Sequence, residues 1–249
     1  MSPVREDLEA LCRALGDPAR EWAILAEGNA SAREGERLWV TASGSSLADP
    51  RLLDMSLEGV LEAIDAAEDD ADWARRLSEA ADAEAGRRPT VEVGLHALAL
   101  AAGAAFVGHT HPTAVNGLLC STRAGVLAGG AVFPDQVVVC GPDPLLLPYV
   151  DPGLALARAF RDALGGHREA HGRLPKVAYL RGHGLVAIGE SALEVLQVTA
   201  MADKAARVIA SALAAGGVEP LPAAEVARID GRLDEAHRRA VLRSGRIEG

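Results

Sequence analysis

Lysine is nearly absent from this 249-residue chain, which contains only Lys176 and Lys204. Enzymes that form an imine with a substrate carbonyl need a desolvated lysine whose pKa is lowered. Lys176 follows a proline ahead of a strand-like run, and Lys204 stands beside Asp203 in a long helical pattern. Neither setting is typical of an imine-forming lysine, so the sequence argues against covalent imine chemistry.

Aromatic residues are also scarce, at 3% of the chain, and the formal net charge is −10. Nucleic acids and acidic membranes attract basic surfaces, and single strands also need aromatic side chains for base stacking. We therefore expect neither a nucleic acid nor a membrane as a partner.

Cysteines and long apolar runs are few. Cys12, Cys120 and Cys140 are scattered and form no CxxC pattern, which predicts reduced thiols. No apolar run reaches the ~18 residues of a membrane span, and the first residues lack the pattern of a signal peptide. We expect a cytoplasmic protein whose residues 1–249 form one domain with a helical tail at about residues 218–249.

The most informative stretch is Gly108-His109-Thr110-His111-Pro112, which ends the apolar run of residues 101–107. An apolar run closed by proline predicts a buried strand leaving the core. Side chains two positions apart on a strand point to the same face, so the two histidines should project together. Paired imidazoles suit zinc and neighbouring transition metals. The alternative at this point is a pair of histidines bonded only to the backbone.

Two strand-like runs, residues 176–181 and 184–189, meet at a histidine that has a glycine on each side. The glycines predict a tight turn that holds His183 out over the sheet. An imidazole that faced the His-x-His pair from this turn would be a third metal ligand.

Small polar residues form two further turns, at residues 27–31 and 42–46. Glycine and hydroxyl residues let backbone N–H groups converge on an anion, so the pair favours phosphate binding, although neither turn matches a P-loop or GxGxxG pattern. Downstream, residues 90–102 predict a buried helix. Glu92 would lie in its first turn and on the same face as His96.

Periodicity and capping signals predict the other elements. The predicted helices span residues 4–15, 52–66, 114–120, 153–164 with Asp151 as N-cap, 191–215 and 223–243. The predicted strands span residues 37–41 and 135–140, and the acidic residues 69–84 predict a solvated, loosely held segment.

Together these motifs resemble those of the class II aldolase and adducin family. The residues that match the family in order and spacing are Gly28-Asn29-x-Ser31, Ser43-Gly44, Pro89-Thr90-x-Glu92-x-x-x-His96, His109-x-His111-Pro112 and His183-Gly184. The resemblance extends from the first helix to about residue 215 and is greatest to fuculose- and rhamnulose-phosphate aldolase-like domains. It implies a three-layer α/β/α fold around a mostly antiparallel sheet, and assembly as a homotetramer.

The resemblance also implies roles for individual residues. His109, His111 and His183 correspond to the metal ligands, for zinc or alternatively manganese or cobalt. Glu92 corresponds to the acid/base carboxylate, and Tyr149 is the candidate proton donor. A carboxylate near zinc would normally stay ionised, and partial burial would raise the pKa of Glu92 towards the useful range. The residues that correspond to the phosphate site are Gly28, Asn29, Ser43, Gly44 and Thr90. Val91 stands where many relatives have a serine, so one phosphate hydroxyl is missing.

The activity implied is metal-dependent cleavage of a ketose 1-phosphate, a small phosphorylated sugar, to dihydroxyacetone phosphate and an aldehyde. Two alternatives use the same metal site, namely methylthioribulose-phosphate dehydratases and sugar-acid-phosphate decarboxylases. A third, the adducin head, is a non-catalytic assembly module that has lost the metal ligands. The complete histidine set and Glu92 argue against that third alternative.

Overall fold

A seven-stranded sheet runs through the part of the chain that the computed structural model describes, residues 2–81 and 87–232. Its strands are β1 (Asn29–Glu34), β2 (Arg37–Thr41), β3 (Leu52–Ser56), β4 (Phe106–Thr110), β5 (Leu145–Leu147), β6 (Val177–Leu180) and β7 (Gly184–Gly189). Their order across the sheet is β3-β2-β1-β4-β7-β6-β5. Neighbouring strands are antiparallel except β5 and β6, which are parallel.

Helices cover both faces of this sheet. They are α1 (Pro3–Leu15), α2 (Leu57–Ala66), α3 (Asp70–Ala80), α4 (Val93–Ala101), α5 (Thr113–Leu119), α6 (Pro134–Cys140), α7 (Leu154–His171), α8 (Ala192–Ala214) and α9 (Ala223–Asp230). Helices α2, α3, α4 and α7 contribute to one apolar core, and α1, α5 and α8 contribute to the other. The predicted three-layer α/β/α fold with a mostly antiparallel sheet is confirmed.

The central strands are apolar on both faces because each face supports a helical layer. Along β7, Leu185 and Ala187 pack into the α1/α8 core, whereas Val186 and Ile188 pack into the α4/α7 core. This alternation follows from the period of two along a strand. None of the helices in the described part of the chain has the length and apolar character required to cross a bilayer.

Several helices form where their local signals predict them. Leu8, Leu11 and Leu15 give α1 a fully buried stripe, and Ser191 caps α8 by accepting a hydrogen bond from the backbone N–H of Glu194. A serine before the first helical turn satisfies one of the N–H groups that a helix leaves unpaired there. The predicted short helix after the His-x-His stretch is also present as α5.

The strand predicted for residues 135–140 is wrong, because this segment forms helix α6. Its three consecutive valines favour a strand locally. Pro134 instead stands in the first turn of a helix, where its missing N–H costs nothing. Val137 and Cys140 are buried, and the Cys140 thiol contacts the Val198 carbonyl of α8 at 3.8 Å. Packing against α8 thus overrides strand propensity.

Two predictions near the N-terminal half also need correction. The helix predicted over residues 52–66 begins only at Leu57, where the Ser56 hydroxyl caps α2, and the preceding residues form β3. The acidic segment predicted to be loosely held contains α3, capped by Asp69 and anchored by the buried Trp73 and Leu77. Residues 82–84 of that prediction lie outside the described residues.

The C-terminal helices begin or end at residues other than the predicted ones. The helix predicted over residues 153–164 extends to His171, and its cap residue is Gly153, at a φ of +120°, rather than Asp151. Within the predicted tail helix, α9 ends at Asp230. The part of that prediction beyond residue 232 lies outside the described residues.

Candidate functional site

Three histidines meet at one end of the sheet. His109 is near the end of β4, His111 follows that strand, and His183 occupies the turn between β6 and β7. Thr110 pairs with Leu185 across β4 and β7, which brings the turn beside the end of β4. A Cβ atom at Gly184 would lie 2.6 Å from both the His111 ring and the Thr110 carbonyl oxygen, so this close approach requires glycine.

The histidine nitrogens have the spacing of a metal site. His109 Nε2 lies 3.0 Å from His111 Nε2 and 3.3 Å from His183 Nε2. Zinc binds imidazole nitrogen at about 2.0–2.1 Å in tetrahedral sites, which separates two ligand nitrogens by about 3.3 Å. The three residues can therefore hold one metal ion, and a set of three protein ligands leaves a coordination position for substrate or water.

Hydrogen bonding orients these imidazoles as ligands. His109 Nδ1 lies 3.0 Å from the Leu185 carbonyl oxygen, which can only accept, so Nδ1 carries the proton and Nε2 keeps its lone pair. Burial lowers the pKa of His109, and burial with the neighbouring His109 and His183 lowers that of His111 to about 3. Neutral imidazole is the form that binds metals.

Glu92 reaches the same point from the start of α4, where it is the N-cap residue rather than part of the first turn. Its Oε1 lies 3.0 Å from His183 Nε2, and its Oε2 lies 3.5 Å from His109 Nε2. Burial raises the pKa of the carboxyl, but its interactions with His109 and His183 and the hydrogen bond from Asn29 outweigh burial and leave the pKa below its usual value. The expected rise in the Glu92 pKa is therefore wrong, and a bound cation would act in the same direction as the histidines.

A buried chain of hydrogen bonds holds Glu92 from behind. Asn29 Nδ2 donates to Glu92 Oε2 at 2.8 Å and to Thr90 Oγ1 at 3.2 Å. Because a carboxylate only accepts, the Asn29 oxygen must face His96, and His96 Nε2 must carry the proton. His96 Nδ1 then accepts from the Ser31 hydroxyl at 2.8 Å. Burial lowers the pKa of His96 to about 3, which keeps this imidazole neutral.

Strand β1 explains why Asn29 is available to Glu92. The polar residues 27–31 predict a turn, but the strand already begins at Asn29, which pairs with His109 of β4. Asn29 is 5% exposed, and its amide is used by protein groups. Its role in phosphate binding stays a prediction, whereas its contact with Glu92 is a role that the sequence did not indicate.

The other residues predicted to bind phosphate fall into two groups. Gly28 adopts a φ of +71° with its backbone against the His109 carbonyl, and Thr90 is buried beside Asn29. Ser43 and Gly44 lie farther along the same sheet end, in the turn after β2. That turn borders a cleft of about 450 Å³. Its lining residues are Ala42, Ser43, Gly44, Ser45, Ser46, Asp49, Arg51, Arg87 and Arg88.

Tyr149 lies beside the turn that carries His183, since a Cβ atom at Gly182 would be 3.4 Å from its ring. The side chain is 60% exposed, and its hydroxyl donates to Asp151 at 2.9 Å. That hydrogen bond raises the pKa of the Tyr149 hydroxyl. The other tyrosine of the chain, Tyr179, is buried in the core and has no access to a substrate.

Three arginines of the cleft, Arg51, Arg87 and Arg88, were not predicted from the sequence. Arg87 and Arg88 stand directly before Pro89 and Thr90, so their proximity to a matching motif was a usable signal. Arg51 reaches the cleft through the folding of the chain after β2, and no local pattern marks it.

Comparison with known proteins finds a matching family model and solved structures that share the fold. A family model described as the class II aldolase and adducin N-terminal domain matches residues 6–210. No curated protein matches the chain by sequence.

Solved structures share the fold at low sequence identity. YgbL from Escherichia coli, described as an aldolase, epimerase or decarboxylase whose activity is not settled, is 21% identical, with a TM-score of 0.67 over 91% of this chain and 97% of its own. L-fuculose-1-phosphate aldolase from Thermus thermophilus is 18% identical, with a TM-score of 0.61 over 88% and 98%. L-fuculose 1-phosphate aldolase from Glaciozyma antarctica is 18% identical, with a TM-score of 0.63 over 96% and 88%.

Proposed function

This chain belongs to the class II aldolase and adducin family, and on that premise we propose that it is a metal-dependent aldolase. The proposed substrate is a ketose 1-phosphate, cleaved to dihydroxyacetone phosphate and an aldehyde. One observation supports this most directly. The His109 Nε2 atom lies 3.0 Å from His111 Nε2 and 3.3 Å from His183 Nε2, and the Glu92 carboxylate lies 3.5 Å from His109 Nε2 and 3.0 Å from His183 Nε2.

The three histidines would hold a divalent ion, with zinc the first candidate and manganese or cobalt as alternatives. Such an ion would supply Lewis-acid polarisation of the substrate carbonyl. This role suits a chain in which neither lysine is placed for imine chemistry. The histidine cluster and the absence of a lysine placed for imine chemistry therefore both favour metal-dependent cleavage over cleavage through a covalent imine.

Glu92 is the proposed acid/base residue, which moves a proton to and from the carbon next to the carbonyl. Asn29 positions one carboxylate oxygen at 2.8 Å, and the other oxygen lies on the side of the histidines, 3.0 Å from His183 Nε2. Gly28, Asn29, Ser43, Gly44 and Thr90 are the proposed phosphate contacts. Binding the phosphate would fix the reacting carbon against Glu92.

Tyr149 is the proposed proton donor to the aldehyde oxygen. Its exposed hydroxyl, beside the turn of His183, is accessible to a group carried by a substrate. We also propose a homotetramer in the cytoplasm and a single domain over residues 1–249, as the family resemblance implies.

Deuterium exchange into dihydroxyacetone phosphate tests this function without knowledge of the aldehyde. Metal-loaded protein in heavy water should exchange one proton of this compound, as followed by NMR, and EDTA should abolish the exchange. Glu92→Gln protein that retains its metal is the matched control and should exchange at least about 10²-fold more slowly. Absence of exchange from protein that holds stoichiometric metal would reject the aldolase proposal.

Decarboxylation of a sugar-acid phosphate is the second candidate, because YgbL, one of the structural neighbours, is described in terms that include decarboxylase. The same metal site would serve it, and release of carbon dioxide in the absence of exchange would support it. Elimination of water, as in methylthioribulose-phosphate dehydratases, would instead give a product that NMR distinguishes. Protein that binds no metal would point to an adducin-like assembly module.

A further inference from the structure

The segment of residues 21–28 runs beside the end of β4 and contacts two of the three histidines. The backbone N–H of His111 donates to the Trp22 carbonyl at 2.7 Å. At the other end of the segment, a Cβ atom at Gly28 would lie 2.7 Å from the His109 carbonyl oxygen. The segment therefore packs against the backbone of both histidines, on the outside of the metal site.

This segment contains a strained residue whose own side chain does not explain the strain. Leu25 has a φ of +57°, and within the described residues Glu21 is the one other non-glycine residue with a positive φ. The Leu25 side chain is 86% exposed, so packing does not compensate for a backbone conformation that a Cβ atom disfavours.

The strained turn fixes the position of a carboxylate. Glu27 N–H donates to the Ile24 carbonyl at 3.1 Å, and Ile24 N–H donates to Glu27 Oε2 at 3.0 Å. These two hydrogen bonds close the turn around Leu25 from both sides. Backbone strain of this kind persists where the surrounding structure holds it, and it is concentrated at functional sites.

The Glu27 carboxylate faces the outer nitrogen of His111. Its Oε2 lies 3.8 Å from His111 Nδ1, and within residues 2–81 and 87–232 this nitrogen forms no hydrogen bond. The distance is longer than a hydrogen bond. Because the Glu27 side chain is 43% exposed, a small rotation or one bridging water can complete the contact. The corresponding nitrogen of His109 already has an acceptor, the Leu185 carbonyl at 3.0 Å.

The position of the proton on His111 decides whether this residue can be a metal ligand. A neutral imidazole carries one N–H. His111 Nε2 lies 3.0 Å from His109 Nε2, which keeps its lone pair. A proton on His111 Nε2 would therefore be donated to His109 and would occupy both ligand nitrogens. A proton on Nδ1 leaves Nε2 of both histidines open to a metal.

We propose that Glu27 is a positioning residue that keeps the His111 proton on Nδ1, accepting from it directly or through one water, and so prepares Nε2 for the metal. This inference rests on the metal site of the proposed function and adds a residue that lies outside the motifs of the family resemblance. Removal of a carboxylate behind a metal-bound imidazole weakens metal binding by about 10–100-fold. Solvent screens the half-exposed Glu27, so we expect a loss of about tenfold.

Zinc titration of protein from which EDTA has removed the metal, in competition with a chromogenic chelator, measures this effect without turnover. Glu27→Ala should bind zinc about tenfold more weakly. Glu27→Gln, which keeps an acceptor oxygen, should recover part of that affinity. Glu169→Gln, which neutralises an exposed glutamate near the end of α7, is the control and should bind zinc as the unsubstituted protein does.

Nitrogen-15 NMR of the imidazoles in the EDTA-treated protein tests the positioning role itself. The His111 proton should reside on Nδ1 in the unsubstituted protein and move to Nε2 in Glu27→Ala. The same tautomer in both proteins, or unchanged zinc affinity in Glu27→Ala, would overturn the proposal. Equal zinc affinity in Glu27→Gln and Glu27→Ala would also overturn it, since only the charge would then matter.

These measurements separate the role of Glu27 from the proposed function. Glu27-dependent zinc binding in a protein that shows no exchange of dihydroxyacetone phosphate would reject the aldolase activity and leave the positioning role intact. Zinc binding that is independent of Glu27, together with exchange, would reject the positioning role alone. Unsubstituted protein that binds no zinc would reject both.

Discussion

Replacing Asn29 with alanine should destabilise the protein and release Glu92 from its position. The amide is 5% exposed and is bonded to Glu92, Thr90 and His96. The substitution removes a donor from a buried carboxylate and leaves the N–H of His96 without an acceptor. Both losses fall on buried groups that water does not reach, so neither is compensated by hydration.

The expected magnitude follows from those bonds. A hydrogen bond to a charged group contributes about 1.5–3 kcal/mol, and a neutral one contributes about 1 kcal/mol. Losing the hydrogen bonds of the Asn29 amide should therefore lower the free energy of unfolding by about 2–4 kcal/mol. For a chain of this length, each kcal/mol corresponds to a Tm shift of about 2–4 °C, so we expect a decrease of roughly 4–16 °C.

Urea and thermal unfolding of EDTA-treated protein would measure this effect without interference from metal binding. Asn116→Ala is the control, since the Asn116 amide donates only to the His183 carbonyl and its oxygen is unpaired among the described residues. Its cost should be about 1 kcal/mol. A double-mutant cycle of Asn29→Ala with Glu92→Ala should give a coupling energy of at least about 1 kcal/mol. A coupling energy near zero would refute the argument that Asn29 holds Glu92.

Other substitutions test the metal and catalytic assignments. His109→Ala should lose bound metal together with activity, and retention of stoichiometric metal, measured by elemental analysis, would remove this ligand from the site. Glu92→Gln should keep the metal but slow proton exchange by about 10²-fold or more, and near-normal exchange would exclude it as the acid/base residue. Gly184→Ala should weaken metal binding while the chain still folds, because its Cβ atom would lie 2.6 Å from the His111 ring; unchanged metal affinity would contradict this. Tyr149→Phe should leave exchange intact and slow aldol cleavage, so equal cleavage rates would exclude it as the proton donor.

Local sequence signals determined much of the architecture. The cap of α8 and the buried stripe of α1 depend on residues within two or three turns of one another, and such spacings are visible in the sequence. The glycines on each side of His183 likewise predict the turn that carries it. The pairing of His109 with His111 follows from the period of a strand. These features explain why the histidine set could be predicted, whereas the fold class followed from the resemblance of the motifs to a known family.

The tertiary structure determined those features that depend on contacts between residues far apart in the sequence. Val137 and its neighbours are helical because α6 packs on α8, which strand propensity does not register. Asn29 lies beside Glu92 because β1 pairs with β4, and the resulting contacts lower the Glu92 pKa where burial alone predicted a rise. Arg51 and Arg88 line one cleft although they are far apart in the sequence. Sequence patterns report on neighbours within a few residues, whereas charge and hydrogen bonding at a site depend on which strands the whole fold places side by side.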